Sequence, residues 1–115
     1  MEDFYCREVI SGKLDVEVIF ETNLVMAFYR TDPYFENHAV IIPKAHIESL
    51  SSYPNEPDLN TDLFKAMKYV TNLFEENFGG CRISSNIGDH QSTKHLHWYI
   101  HQGKRIRTEN GEKIT

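Results

Sequence analysis

The sequence predicts an α+β domain in which one long helix covers one face of an antiparallel sheet. Three observations carry this. Strand-like segments come in runs rather than alternating with helices, which argues against a parallel α/β arrangement. Residues 60–78 hold the one extended helical pattern, with Leu63, Met67, Val70 and Phe74 at three- and four-residue steps. Residues 94–101, Lys-His-Leu-His-Trp-Tyr-Ile-His, set Leu96, Trp98 and Ile100 against His95, His97, Tyr99 and His101, the two-residue period of a strand with unlike faces.

Taken in order, residues 3–11 mix apolar and polar side chains and stop at Gly12, which suits a short helix or helical turn. Segments 16–20 and 24–29 are rich in β-branched and aromatic residues, and Glu21-Thr22-Asn23 between them reads as a hairpin turn. Asp32-Pro33 marks residues 31–37 as loop. His38–Ile42 is a strand that Pro43 ends, since proline donates nothing to a ladder. Two prolines make 49–58 a loop. The long helix follows, capped by Asn60 or Thr61 and ended by Gly79-Gly80, with Phe64, Leu73 and Phe78 beside its apolar stripe. Residues 81–86 and 94–101 complete the strands. We divide the chain into a domain at 1–103 and a polar, basic tail at 104–115 that reads as an extended or partly disordered arm.

Composition sets outer limits. The 115 residues are 40% hydrophobic and 25% charged, an ordinary profile for one globular domain. A net charge of −5 excludes a sequence-independent duplex binder, and no nucleic-acid partner is expected. No apolar run approaches the roughly 18 residues that span a bilayer, so no membrane partner is expected either. Cys6 and Cys81 read as reduced thiols and the N-terminus lacks a signal pattern, which together place the protein in the cytoplasm.

The chemistry concentrates in the histidine strand. A row of imidazoles on one strand face has no packing rationale, because histidine is a poor core residue. Such a row suits metal binding, proton transfer near neutral pH, or nucleophilic attack on phosphorus or an acyl carbon. The loop ahead of it, Asn86-Ile87-Gly88-Asp89-His90-Gln91-Ser92-Thr93, offers amide, hydroxyl and backbone donors of the kind a phosphate oxyanion requires.

Asn86, Gln91-Ser92 and His95-Leu96-His97 together resemble the signature of the histidine triad (HIT) family of nucleotide hydrolases and transferases. His38-Ala39-Val40-Ile41-Ile42-Pro43-Lys44-Ala45-His46 resembles that family's other hallmark, and the similarity runs from about residue 3 to about residue 103. The resemblance implies a five-stranded antiparallel sheet with one long and one short helix, paired across a homodimer. It implies an enzyme whose His97 attacks the α-phosphorus of a dinucleoside polyphosphate or nucleoside phosphoramidate, forming a covalent nucleotidyl-histidine that water or another acceptor resolves. The backbone carbonyl of His95 would fix the His97 tautomer, with the side chains of His95 and His38 supporting it. Gln91 and Ser92 would meet the phosphate or leaving group, Asn86 the phosphate or ribose, and Phe28 would wall the base pocket.

Three positions depart from that family pattern. Tyr99 stands where the third histidine belongs; a phenol can still donate one hydrogen bond to phosphate. Arg30 replaces an acid that holds ribose, with Asp32 as its nearest substitute, and suits a further phosphate. The Cys-x-x-Cys of some bacterial relatives, whose structural zinc is completed by histidines, is here Asp3-Phe4-Tyr5-Cys6. We therefore expect no metal cofactor, a weakened zinc site at Asp3, Cys6, His46 and His95 being the exception to exclude. Two alternatives to the enzyme stand beside it: a nucleotide-binding module with little catalysis, because of Tyr99, and a metal-binding protein using His95, His97 and His101.

Overall fold

The computed structural model describes residues 3–114. A short helix of π type, Tyr5–Ile10, precedes β1 (Val18–Glu21), β2 (Val25–Tyr29) and β3 (Phe35–Pro43). The long helix α1 (Pro57–Phe78) leads to β4 (Arg82–Ser84) and β5 (Trp98–Arg105). These strands form one antiparallel sheet in the order β1-β2-β3-β5-β4, the α+β architecture that the sequence predicts.

Local chemistry explains the boundaries. In the β1–β2 turn, Thr22 Oγ1 accepts the N–H groups of Leu24 and Val25, each at 3.1 Å, and donates to Asp62 Oδ2 of α1 at 2.7 Å. One side chain thus ties the hairpin to the helix. α1 begins three residues before Asn60, because Pro57 fits its first turn with φ already fixed and Glu56 serves as the cap residue. Its end is as expected: Gly79 takes φ 84° and donates to Glu75 O at 2.9 Å. β3 starts at Phe35 rather than His38, so part of the expected loop is strand.

The sheet has two unlike faces. On one, α1 buries Leu59, Leu63, Ala66, Val70 and Phe74 against Val25, Ala27, Ala39, Ile41 and Ile100. Ala27 and Ala39, both fully buried, let the helix sit close to the sheet. Phe64, expected beside the stripe, is 72% exposed because the buried row runs through Ala66 instead. The opposite face carries Met26, Phe28, Val40 and Ile42, covered by Tyr5 and Val9 of the short helix. That second face holds the candidate site.

The tail is folded. Beyond β5, Ile106 donates to Tyr34 O at 2.8 Å, and Thr108 and Ile114 close a hairpin onto Glu112 O and Ile106 O. Arg107 Nε donates to Pro33 O at 2.9 Å and pins the hairpin to the loop before β3. Gly103, at φ 92°, leaves the opening through which Glu36 Oε1 accepts the Lys104 N–H at 2.7 Å; a Cβ there would lie 2.6 Å from that oxygen. Among the described residues, no helix is long and apolar enough to cross a membrane.

Candidate functional site

The alternation of residues 95–101 survives, although regular pairing begins only at Trp98. Leu96 and Ile100 are fully buried on the helix side and Trp98 packs there too. Residues 95–97 are held instead by single bonds, Leu96 N–H to Ile47 O at 2.7 Å and Ser85 Oγ to His97 O at 2.6 Å. His95, His97, Tyr99 and His101 consequently line the other face. The rings of His97 and Tyr99 lie 4.8 Å apart, and those of Tyr99 and His38 also 4.8 Å.

His97 Nδ1–H donates to the backbone carbonyl of His95 at 2.6 Å. A neutral ring so fixed carries its lone pair on Nε2, and Nε2 makes no hydrogen bond among the described residues. Burial lowers the His97 pKa; the His95 carbonyl works against that and Arg30 adds to it. The ring is less open than a nucleophile in a free pocket: it is 2% exposed, with the Tyr5 ring at 5.4 Å on one side and Tyr99 on the other.

Two clefts share Arg30, Ser92 and Tyr99; His97 lines neither and lies behind Tyr99. The first, about 190 Å³, is walled by Tyr5, Val9, Leu14, Val16, Phe28 and Val40, with Thr31 and Asp32 at one side. Phe28 is both wall and core, at 3% exposure. The second, about 590 Å³, is polar and includes His38, Asn86, His101 and Arg105. Arg30 divides them, bonded to Asp32 Oδ1 at 3.1 Å with its guanidinium 5.0 Å from the Tyr34 ring centre and 5.3 Å from that of Tyr99.

Two expected roles change. Gln91 lines neither cleft. Its amide donates to Glu48 O at 2.7 Å and Thr93 O at 3.3 Å and accepts the Gly88 N–H at 3.1 Å, so it shapes the loop that presents Ser92. His38 was expected beside His97, yet its ring contacts are with Tyr34, Phe35, Tyr99 and His101. Its Nδ1 accepts the Tyr34 N–H at 3.0 Å, which leaves the proton on Nε2. That Nε2 is buried without a partner. Burial, then Arg30 and His101, push the His38 pKa down to about 3. Sequence reasoning missed Tyr5 and Tyr34, while Arg105 belongs to the basic run 104–107 that the sequence offers to an anion. The sole early signal for Tyr5 was an aromatic pair, Phe4-Tyr5, in an otherwise short amphipathic segment.

Asp3, Cys6, His46 and His95 do come together, their ligand atoms all within 4.8 Å of one another. His95 Nε2 faces Pro43 O at 2.8 Å, an acceptor, so it bears the proton. His95 Nδ1 lies 2.8 Å and His46 Nδ1 2.6 Å from Asp3 Oδ2, so either imidazole donates to the carboxylate when it carries a proton there. Burial opposes ionisation of Asp3, but the Cys6 N–H, His95 and His46 outweigh it and hold the carboxyl below its ordinary value. The Cys6 Sγ distances of 3.6, 3.7 and 3.9 Å to His95, Asp3 and His46 match the roughly 3.5 Å edge of a tetrahedral zinc site with sulfur and nitrogen ligands. The donor types suit a divalent cation, although the 2.6 and 2.8 Å imidazole–carboxylate separations are hydrogen-bond lengths, shorter than the edge of a tetrahedral site. His95 bonded to a carbonyl through its far nitrogen is the usual support for a metal-ligating imidazole.

The family model of the HIT domain matches residues 11–105. The chain belongs to the HIT-domain family. Two curated relatives are each 28% identical. Bis(5'-adenosyl)-triphosphatase of Dictyostelium discoideum aligns over 85% of this chain and 67% of its own length. Adenosine 5'-monophosphoramidase of Schizosaccharomyces pombe aligns over 87% and 73%. A solved histidine triad protein from Clostridium difficile superposes with TM-score 0.73 at 26% identity, covering 94% of this chain and 98% of that chain.

The buried state of His38 gives a pH prediction. An unfolded histidine titrates near 6.5, whereas folded His38 titrates near 3. Between these values the unfolded chain binds more protons, so this contribution to stability is full above pH 6.5 and is lost as pH falls toward 3. Urea midpoints measured from pH 7 to pH 4 should fall, and His38→Gln should flatten that slope. An unchanged slope in the variant would exclude His38 as a source.

Proposed function

We propose that the protein is a nucleotide hydrolase or nucleotidyl transferase whose His97 attacks an α-phosphorus. The observation that carries this reading is the His95 carbonyl at His97 Nδ1, which leaves a neutral Nε2 with no hydrogen bond among the described residues, on a ring packed behind Tyr99, a residue that lines both clefts. The first cleft suits a nucleobase and sugar, with Phe28 as wall and Asp32 near the ribose. Ser92, Asn86 and Tyr99 supply hydroxyl and amide donors for the phosphoryl oxygens. Attack forms a His97 Nε2–phosphorus bond as the bond to the leaving group breaks; water or another acceptor then displaces the imidazole. Gln91 acts at one remove, through the loop that carries Ser92. The relatives that cleave adenosine polyphosphates and phosphoramidates support the reaction class.

His97→Ala should lower kcat by at least about 10³-fold while leaving the urea midpoint within experimental error of a buried-residue control. Wild-type protein quenched in acid-free denaturant after mixing with an adenosine phosphoramidate or dinucleoside polyphosphate should carry one nucleotidyl group on the peptide containing His97. A fully active alanine variant, or an adduct elsewhere, refutes the mechanism.

A divalent cation belongs to the proposal as a structural cross-link. Asp3, Cys6, His46 and His95 would hold it and join the short helix to the end of β3 and the approach to β5. Cobalt(II) added to metal-stripped protein should develop a thiolate-to-metal absorption band that Cys6→Ser abolishes and Cys81→Ser keeps. No band in the wild type would remove the cation.

Self-association is the last part. β4 is an edge strand whose three residues are all exposed, Ile83 at 51%. An open edge with an exposed aliphatic side chain is a template for pairing. Light scattering should give the mass of two chains for wild type and of one for Ile83→Lys; a monomeric wild type contradicts the homodimer.

A further inference from the structure

His97 is sealed between two tyrosine rings, and the two are held very differently. The imidazole is 2% exposed and lines neither cleft. Tyr99 covers it at 4.8 Å between ring centres and Tyr5 at 5.4 Å. Tyr99 is fixed: its backbone pairs with Val40 of β3 on one side and Ser84 of β4 on the other, and His38 backs its ring at 4.8 Å. Tyr5 belongs to a helix of six residues, too short to be stable alone. The backbone bonds around that helix, from Arg7 to Asp3, Gly12 to Val9 and Leu14 to Glu8, all stay within residues 3–14. Among the described residues, hydrogen bonds from 3–10 to the rest of the fold come from Asp3 and Cys6 and from the Tyr5 phenol, which meets Tyr99. At the other end Gly12 takes φ 82°, with open space where a Cβ would stand. The match to the HIT domain begins at residue 11, so this cover lies outside it.

We propose that residues 3–10 are a gate over His97, with Gly12 as hinge, Tyr5 as stopper, and the Asp3 carboxylate on His46 and His95 as latch. The proposal rests on the reading of His97 as the nucleophile. A buried ring gives an incoming phosphorus no route to Nε2, and of its two covers only Tyr5 sits on a segment that can leave without breaking the sheet. Opening carries Tyr5 away and extends the first cleft, which Tyr5 already lines, to Nε2. Closing shields the imidazole from water. Nucleotide binds the open form alone, so its apparent affinity falls with the open fraction. The latch sets that fraction through two hydrogen bonds to a carboxylate, at 2.6 and 2.8 Å.

Two readouts that need no turnover test the gate in the full chain, with chelator present throughout. Diethyl pyrocarbonate acylates accessible neutral imidazoles, and peptide mass spectrometry gives its rate at His97 against exposed His90 as internal standard. Hydrogen exchange compares residues 4–10 with β3. Wild-type His97 should react at least about tenfold more slowly than His90, and 4–10 should exchange well before β3. Asp3→Asn should raise both the His97 rate and the exchange of 4–10 by a common factor of about ten, leaving β3 unchanged. His46→Gln removes one anchor from the surface, should shift both in the same direction by less, and serves if the Asp3 variant folds poorly. A wild-type His97 as reactive as His90 overturns the gate. So do residues 4–10 that exchange only together with β3, or rates that ignore both substitutions. Gated labelling in a protein that cleaves neither a dinucleoside polyphosphate nor a phosphoramidate keeps the gate and refutes the reading of His97; turnover by a protein with a freely reactive His97 does the reverse.

Discussion

His95 is the residue on which the arrangement turns. It is fully buried, and three of its atoms bind three different parts of the chain. Nε2 meets the carbonyl of Pro43, where β3 ends; Nδ1 meets Asp3, at the start of the short helix; the backbone carbonyl receives His97 Nδ1–H. A buried polar ring must be satisfied or it destabilises the fold by about 1–3 kcal/mol, so these bonds are mutually enforcing. The result is that the tautomer of His97, the seat of the N-terminal segment and the edge of the sheet share one pivot. Pro43 contributes through what it lacks: with no N–H it ends the ladder, and its carbonyl is left to the imidazole.

Much of this was legible because it follows from period. The two-residue alternation through Leu96, Trp98 and Ile100 assigns the histidines to one face whether or not the ladder is regular. The three- and four-residue steps of Leu63, Met67, Val70 and Phe74 fix the helix. What was not legible depends on contacts distant in sequence. Phe64 reads as core beside Leu63, yet the buried row follows Ala66, because two alanines in the sheet draw the helix in along that line. Gln91 reads as a ligand donor, but the Glu48 carbonyl it binds is 43 residues away. Tyr5 carries no motif, and only the folding of its helix over β2 and β3 brings it to His97. Asp3 in a cysteine's place argues against a metal, and spacing alone could not reveal that its carboxylate would sit 2.6 and 2.8 Å from two imidazoles.

The site also shows how charge and burial are kept apart. His97 and His38 are both neutral, and in both burial is the leading cause. The cationic groups are Arg30 and Arg105, which lie over aromatic rings, and Tyr99 stands between Arg30 and the nucleophile. Positive charge is thus available to an incoming anion while the imidazole keeps its lone pair. Tyr99 in place of an imidazole fits the same division, since its phenol can donate a hydrogen bond without ever adding a competing positive charge.

The tail hairpin reaches further than its position suggests. Arg107 grips the carbonyl of Pro33 and Ile106 that of Tyr34, and the Tyr34 N–H is what sets the proton on His38. Residues 106–114 and the stretch 33–38 are therefore one mechanical unit, and a change that loosens the hairpin also loosens the backbone donor that sets the His38 tautomer, although nearly seventy residues separate the two segments along the chain.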